Sequence, residues 1–133
     1  MKKLALLLSV LFVFNSCSLD EETFALELLP VESVVIPAEF ELGGAYQITM
    51  KYYRPTSCHS PYGFYYEKEL NVRTCAVQNL KSDRADCNII TDYLVEETFT
   101  FHATNTGNYI FKFWTGKDEE GNNTYLEYDI PVN

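Results

Sequence analysis

Residues 109–114 (YIFKFW) and 125–130 (YLEYDI), on either side of the loop 115–124, decide the fold of this chain. An antiparallel pairing with Lys112 opposite Glu127 turns one continuous apolar set to the same face. That apolar face consists of the pairs Phe113–Leu126, Phe111–Tyr128 and Tyr109–Ile130. The other face carries the charge pair, with Trp114 opposite Tyr125 and Ile110 opposite Asp129. Because a slip of one residue would expose the apolar set to water, the pattern predicts a β-hairpin in this register.

Further strands are predicted where β-branched and aromatic residues recur. These segments are residues 33–36, 46–53, 64–69, 70–80 and 95–103. Alternation is clearest in 46–53 (YQITMKYY), where Tyr46, Ile48, Met50 and Tyr52 would face the core. The first segment is expected at a sheet edge because Pro37 follows it. Residues 54–63 and 81–88 are predicted loops because they are rich in Pro, Gly and polar residues.

About seven short strands without a convincing helix favour an all-β fold of two packed antiparallel sheets. The ending, residues 107–132 (GNYIFKFWTGKDEEGNNTYLEYDIPV), resembles the last hairpin of the immunoglobulin-like modules common on secreted bacterial proteins. The resemblance implies an immunoglobulin-like antiparallel β-sandwich, which we expect to occupy residues 31–133.

The chain begins with MKKLALLLSVLFVFNSCSLDEE, which has the pattern of an export signal followed by acidic residues. Lys2 and Lys3 precede an apolar run of eleven residues. That run is shorter than the roughly 20 residues that cross a membrane as a helix. It ends at Asn15-Ser16-Cys17, which resembles the lipobox of bacterial lipoproteins. An ordinary secretory signal and an uncleaved anchor are the alternatives.

The lipobox resemblance implies a signal peptide at 1–16, lipid attachment at Cys17 and an acidic linker at 17–30. The cluster Asp20-Glu21-Glu22 resembles a signal that moves lipoproteins to the outer face of the outer membrane; a solvated linker is the alternative. We therefore expect an outer-membrane lipoprotein that faces the cell exterior. The chain also resembles small uncharacterised lipoproteins of this type, and that resemblance implies no activity.

Charge excludes one class of partner. The 133-residue chain has 10 basic and 19 acidic residues, and cleavage before Cys17 would also remove Lys2 and Lys3, leaving a net charge of −11. Such a chain does not suit nucleic acid, whose phosphates require basic surface. It also disfavours electrostatic binding to anionic headgroups, and it favours a soluble monomeric domain beside the membrane.

Three cysteines follow Cys17, so at most one internal disulfide can form. Export makes a disulfide plausible. Cys58 and Cys87 lie in predicted loops, whereas Cys75 lies inside a predicted strand, so Cys58–Cys87 is the favoured pair. A bond from Cys75 to either partner, or no bond, stays open.

Trp114 and Tyr125, with Tyr53 as a further member, form a candidate binding patch for a glycan or an extracellular protein, since exposed apolar patches often mark interaction sites. The alternative is that the pair only stiffens the hairpin. Asp118, Glu120 and Asn122 offer oxygen ligands for calcium, although a polar hairpin loop is favoured. His102 is expected to be solvated, and His59 beside Cys58 lacks the spacing of a zinc site.

No catalytic, cofactor or metal motif is recognised. The sequence therefore predicts a lipid-anchored, non-enzymatic module with a binding or structural role. The alternatives are an accessory subunit or small enzyme acting on polysaccharide, and an inhibitor of a secreted hydrolase.

Overall fold

The computed structural model describes residues 21–133, so the predicted signal peptide and Cys17 lie outside the described residues. The strands are β1 (Phe24–Leu29), β2 (Ser33–Val35), β3 (Ala45–Tyr53), β4 (His59–Glu69), β5 (Val72–Ser82), β6 (Leu94–His102), β7 (Tyr109–Lys117) and β8 (Asn123–Ile130). No helix within this part of the chain has the length and apolar character needed to cross a membrane.

The strands form two sheets that pack face to face. In the five-stranded sheet β5 is central: β4 pairs with one side of it, and β1 and β7 share the other side. Strand β8 pairs with β7 at the far edge, and the second sheet has the order β2-β3-β6. The predicted all-β sandwich is confirmed, with eight strands in the described chain.

The predicted hairpin is confirmed in its register. Lys112 lies opposite Glu127, and the other five predicted pairs are all present. The ladder is longer than predicted, since β7 extends to Lys117 and β8 begins at Asn123. A register shift between Trp114 and Gly116 accompanies this extension. Gly116 has a φ of 112°, a conformation that side chains with a Cβ rarely adopt.

Strand β1 corrects the linker prediction. Residues 24–29 were expected to be linker, but they pair antiparallel with the second half of β5 through six residue pairs. Pro30 follows the segment directly, and the residues before it form a strand because the free side of β5 supplies backbone partners for them. Just before β1, the backbone N–H of Asp83 donates to the carbonyl oxygen of Thr23 at 3.0 Å, and the N–H of Thr23 donates to Oδ1 of the Asp83 carboxylate at 3.0 Å. Nε of Arg84 lies 3.4 Å from Oε1 of Glu22.

Two further expectations need correction. The loop predicted at 54–63 is wrong from His59 onward, because β4 begins there and pairs irregularly with β5 between Pro61 and Phe64. The sheets are also not wholly antiparallel, since β5 and β7 run parallel where residues 72–75 meet residues 110–113. Parallel neighbours require a long crossover, and here that crossover passes through β6 in the opposite sheet.

A cluster of aromatic rings fills the space between the sheets. Phe40 contacts Phe101 of β6 and Tyr109 and Phe111 of β7, with ring centroids 5.1, 6.1 and 6.0 Å apart. All four side chains are buried. Edge-to-face contacts of this kind add to the stability gained from apolar burial.

A disulfide joins Cys58 and Cys87, the pair that the sequence favoured. It links the turn before β4 to the loop after β5. Cys75 is the cysteine left unpaired among the described residues, and it is buried. Burial raises the pKa of the Cys75 thiol to about 12, although Arg73 opposes the shift. The thiol is therefore protonated and unreactive at neutral pH.

Replacing one ring of the aromatic cluster between the sheets should destabilise the domain strongly. We expect Phe111→Ala to lower the free energy of unfolding by about 3–5 kcal/mol, because Phe111 is fully buried and its removal leaves a cavity. The neighbouring Ile110 is 38 % exposed on the outer face. Ile110→Ala should therefore cost about 1 kcal/mol or less. Urea denaturation followed by circular dichroism measures both values, and equal losses would contradict the assignment of the two faces.

Removing the disulfide should also destabilise the domain. The bond closes a chain segment with a sequence separation of 29 residues. The double variant Cys58→Ser/Cys87→Ser should lose about 3–4 kcal/mol, because its unfolded chain regains loop entropy. Cys75→Ser is the control, because it removes a cysteine that forms no disulfide. Reducing agent should lower the stability of this variant by the same amount as it lowers that of the wild-type protein. An unchanged melting temperature in the double variant would show that the bond contributes little.

Candidate functional site

The outer face of the five-stranded sheet carries a groove of about 410 Å³. We call it the aromatic groove, and its walls are formed by Tyr65, Glu67, Trp114, Lys117, Asn123 and Tyr125. Strand β4 supplies the first two of these residues, and β7 and β8 supply the other four. The groove therefore crosses the sheet from one edge strand to the other.

Small residues in the centre of the sheet make this surface concave. Thr74 and Ala76 of β5 form the floor, between the large side chains of β4 and of the β7–β8 hairpin. Leu28 of β1 adds an apolar wall at one end. A flat sheet face thus becomes a groove because residues with short side chains alternate across it with aromatic ones.

Trp114 is held in a defined orientation. Its indole Nε1 donates a hydrogen bond to Oδ1 of Asn123 on the neighbouring strand at 3.1 Å. Tyr125 lies directly opposite Trp114 in the hairpin, and both side chains are half-buried. Because the indole is fixed by a hydrogen bond and by packing, it loses little conformational entropy when a ligand stacks against it.

Tyr125 is also fixed by a neighbouring charge. Nζ of Lys112 lies 4.7 Å from the centroid of the Tyr125 ring, a cation–π contact, and 3.7 Å from Oε1 of Glu127. The ammonium therefore bridges the ring and the carboxylate on the outer face. This contact keeps the Tyr125 ring beside the groove.

Tyr65 and Glu67 form the polar part of the opposite wall. The Tyr65 hydroxyl donates a hydrogen bond to Oε2 of Glu67 at 2.7 Å. That hydrogen bond raises the pKa of the Tyr65 phenol, because the neutral form is the donor. The phenol is therefore a neutral group at physiological pH, and Glu67 keeps acceptor sites for a ligand.

The groove combines flat apolar ring faces with hydrogen-bonding groups at its rim. Glu67 can accept hydrogen bonds, Lys117 can donate them, and the Asn123 amide can donate while its oxygen holds Trp114. A pyranose ring has matching surfaces, since its C–H groups form an apolar face and its hydroxyl groups surround that face. An aromatic groove with a few placed polar groups is also the usual form of a small-ligand site.

The structure brings together two of the three residues predicted for the patch. Trp114 and Tyr125 both line the groove, whereas Tyr53 belongs to β3 and lies in the other sheet. Tyr53 is therefore not part of this site. Tyr65 and Glu67 were not predicted, although the alternation of residues 64–69 could have placed them outward with the patch once β4 was assigned to the same sheet.

The hairpin loop between β7 and β8 uses its carboxylate internally. Oδ1 of Asp118 accepts hydrogen bonds from the backbone N–H groups of Glu120 and Asn122, both at 2.9 Å. Within residues 21–133 no cluster of three or more His, Cys, Asp or Glu side chains could hold a metal ion. The Asp118 carboxylate therefore holds the turn of this polar loop through two backbone hydrogen bonds.

His59 takes part in a partly buried chain of hydrogen bonds. Its Nε2 lies 2.7 Å from Oε2 of Glu27, and its Nδ1 lies 2.7 Å from Oγ1 of Thr56. Hydroxyl, imidazole and carboxylate thus follow in the order of a hydrolase triad. However, His59 is only 3 % exposed, and Thr56 Oγ1 also accepts the N–H of Cys58 at 3.1 Å. We assign these contacts to fastening β1 against the turn before β4.

Glu67 is the carboxylate of the aromatic groove among the described residues. Glycoside hydrolysis commonly uses a pair of carboxylates on either side of the bond. The lining of the aromatic groove thus places one carboxylate, that of Glu67, beside the aromatic rings.

Comparisons with protein-family models, curated proteins and solved structures find no match. The function is therefore inferred from the geometry of the groove itself.

Proposed function

We propose that this protein is a non-enzymatic, lipid-anchored module that binds glycan at the outer surface of the outer membrane. The aromatic groove carries the proposal, because it joins an oriented indole and two phenol rings to a carboxylate, an amide and an ammonium group. The glycan would stack on Trp114 and Tyr125 and direct hydroxyl groups toward Glu67 and Asn123.

The anchor part of the proposal rests on the lipobox resemblance at Cys17. Strand β1 begins at Phe24, seven residues later, so an extended tether would span at most about 25 Å. A lipidated Cys17 would thus hold the sandwich close to the bilayer. The acidic cluster Asp20-Glu21-Glu22 supports the surface-facing orientation, and the acidic composition supports a monomer that does not adhere to anionic headgroups.

A glycan suits the groove better than a protein partner does. Protein interfaces that are stable bury about 800 Å² on each partner, commonly over a broad surface. The aromatic groove instead offers a concave volume of about 410 Å³ with hydrogen-bonding groups on opposite walls. That shape matches a few sugar rings of a polysaccharide chain.

Trp114 allows the proposal to be tested directly, because it is the single tryptophan of the chain. We expect soluble oligosaccharides from bacterial and host surfaces, screened one by one, to change the Trp114 fluorescence of the wild-type protein in a saturable manner. Tyr125→Ala should weaken the binding of a positive oligosaccharide at least tenfold, because a stacking surface is lost. Tyr53→Ala is the matched control, since it removes an exposed tyrosine from the other sheet and should leave binding unchanged.

Thermal unfolding of the same variants separates binding from folding. A Tyr125→Ala protein that stays folded and still binds at wild-type strength would refute the groove as the site. If no oligosaccharide changes Trp114 fluorescence, and an envelope protein protects the groove instead, the glycan proposal is wrong.

A second prediction concerns the anchor. Wild-type protein expressed in a Gram-negative host should fractionate with the outer membrane, and its intact mass should show acyl chains on Cys17. Cys17→Ser should move it to the soluble fraction, whereas Cys75→Ser, which alters a buried thiol, should not. Protease added to whole cells should cleave the domain. An unacylated mass would refute the anchor, and a domain protected from protease would place it in the periplasm.

A further inference from the structure

A second groove opens between the two sheets at the edge formed by β4 and β6. We call it the interlayer groove; it has a volume of about 490 Å³, and Phe64, Tyr66, Lys68, Arg73, Phe99 and Phe101 line it. The rings of Phe64 and Phe99 stack across the gap with centroids 4.9 Å apart. Among the strands of residues 21–133, β4 pairs only with β5 and β6 only with β3, so each has an unpaired backbone edge beside this opening.

Arg73 is a buried cation in the wall of this groove. The residue is 3 % exposed, and its Nη1 donates hydrogen bonds to the carbonyl oxygens of Leu70 at 2.6 Å and Val72 at 3.1 Å. Its Nε is buried and has no hydrogen-bond partner in the part of the chain that the structure describes. Among residues 21–133 no carboxylate lies within 4.0 Å of the guanidinium.

Ring faces compensate part of this charge. The guanidinium carbon lies 5.2 Å from the centroid of the Tyr109 ring and 5.8 Å from that of Phe101. Cation–π contacts attract the guanidinium but supply no hydrogen-bond acceptor. The group therefore keeps unused donors inside a low-dielectric site, which is costly unless an acceptor reaches them.

A second cation faces Arg73 directly. Lys68 lies opposite Arg73 in the β4–β5 ladder, and both side chains line the interlayer groove. Like charges in opposite positions of an antiparallel pair destabilise a sheet. His102 lines the same groove, and no Asp or Glu of the described chain does. This local excess of positive charge stands out in a chain with almost twice as many acidic as basic residues.

We propose that the interlayer groove binds a small organic carboxylate with a flat apolar body. The carboxylate would accept hydrogen bonds from the free donors of Arg73, whose planar fork matches a carboxylate, and would relieve the repulsion from Lys68. The apolar body would lie against Phe64, Phe99 and Phe101. This site is separate from the aromatic groove, which is on the opposite face of the five-stranded sheet.

Tyr66 contributes a further polar group to the site. Burial raises the pKa of its phenol, and Arg73 opposes the shift. The hydroxyl therefore stays protonated at neutral pH and can donate a hydrogen bond to an anion held at Arg73. Its ring meets Phe99 edge-on, with centroids 5.8 Å apart, and so also forms part of the apolar wall.

The test compares a carboxylate with a neutral molecule of the same shape. Isothermal titration calorimetry of the full chain in detergent would measure 2-naphthoate and 2-naphthamide side by side. We expect the naphthoate to bind wild-type protein at least tenfold more tightly. Octanoate, titrated in parallel, should bind more weakly than naphthoate, because its flexible chain cannot stack as a flat body.

Charge-removing variants locate the site. Arg73→Met, which keeps an apolar stem of similar length, should abolish the preference for naphthoate over naphthamide. Lys68 is exposed, so Lys68→Met should fold normally, and it should lower the naphthoate affinity about threefold. Lys51→Met, which removes a lysine from an ion pair with Glu96 on the other sheet, is the matched control and should leave the affinity unchanged. Trp114→Ala should also leave it unchanged, because that residue belongs to the aromatic groove.

Several outcomes would overturn the proposal. These are absence of naphthoate binding at millimolar concentration, equal affinity for the acid and the amide, and loss of binding in Trp114→Ala. An unchanged preference in a folded Arg73→Met protein would assign the guanidinium a purely structural role. Should Arg73→Met fail to fold, Lys68→Met decides: wild-type naphthoate affinity in that variant would refute the site.

Discussion

The contact of Phe40 with rings from both sheets is the interaction on which this sandwich depends. Phe40 lies outside the regular strands, yet its backbone makes two hydrogen bonds with residues 131–133. Its N–H donates to the carbonyl oxygen of Pro131 at 2.9 Å, and its carbonyl oxygen accepts from the N–H of Asn133 at 2.8 Å. Its ring then meets Phe101 in one sheet and Phe111 in the other. One well-anchored aromatic side chain therefore packs against both layers at once.

The two grooves depend on this spacing to different degrees. The interlayer groove lies between the layers, and Phe101 belongs both to its wall and to the Phe40 cluster. The aromatic groove lies on an outer face, so it depends on the alignment of β4, β5 and the β7–β8 hairpin within one sheet. A substitution in the aromatic core should thus alter the surroundings of the buried Arg73 more than those of Trp114.

Local alternation could be predicted from the sequence, and pairing between distant segments could not. The pairing of Lys112 with Glu127 follows from two adjacent segments whose apolar residues match in a single register. Strand β1 does not follow, because it exposes Phe24 and Leu28 while turning Glu27 toward His59, which inverts the usual pattern. The parallel pairing of β5 with β7 depends on a crossover through the other sheet, and no local signal encodes it.

The candidate sites show the same division. Trp114 and Tyr125 were predicted together because they are neighbours in the hairpin. Tyr65 and Glu67 lie beside them because β4 and β7 pair with opposite sides of β5, and that long-range pairing is not evident in the sequence. Arg73 stands in a strand segment that also contains Thr74 and Cys75, where alternation alone would allow a solvated arginine. Its burial becomes evident only when the rings of Phe101 and Tyr109 are placed over it.

The way β1 joins the sheet has a mechanical consequence. Its six pairs with β5 lie side by side along the strand, and the contacts of Thr23 with Asp83 extend this line toward the amino terminus. A force pulling on that end along the strand axis would load the whole ladder in shear, so many hydrogen bonds would resist at once instead of opening one after another. A sandwich pulled through β1 would consequently bear tension while Leu28, near the end of the same strand, stays in place beside the aromatic groove.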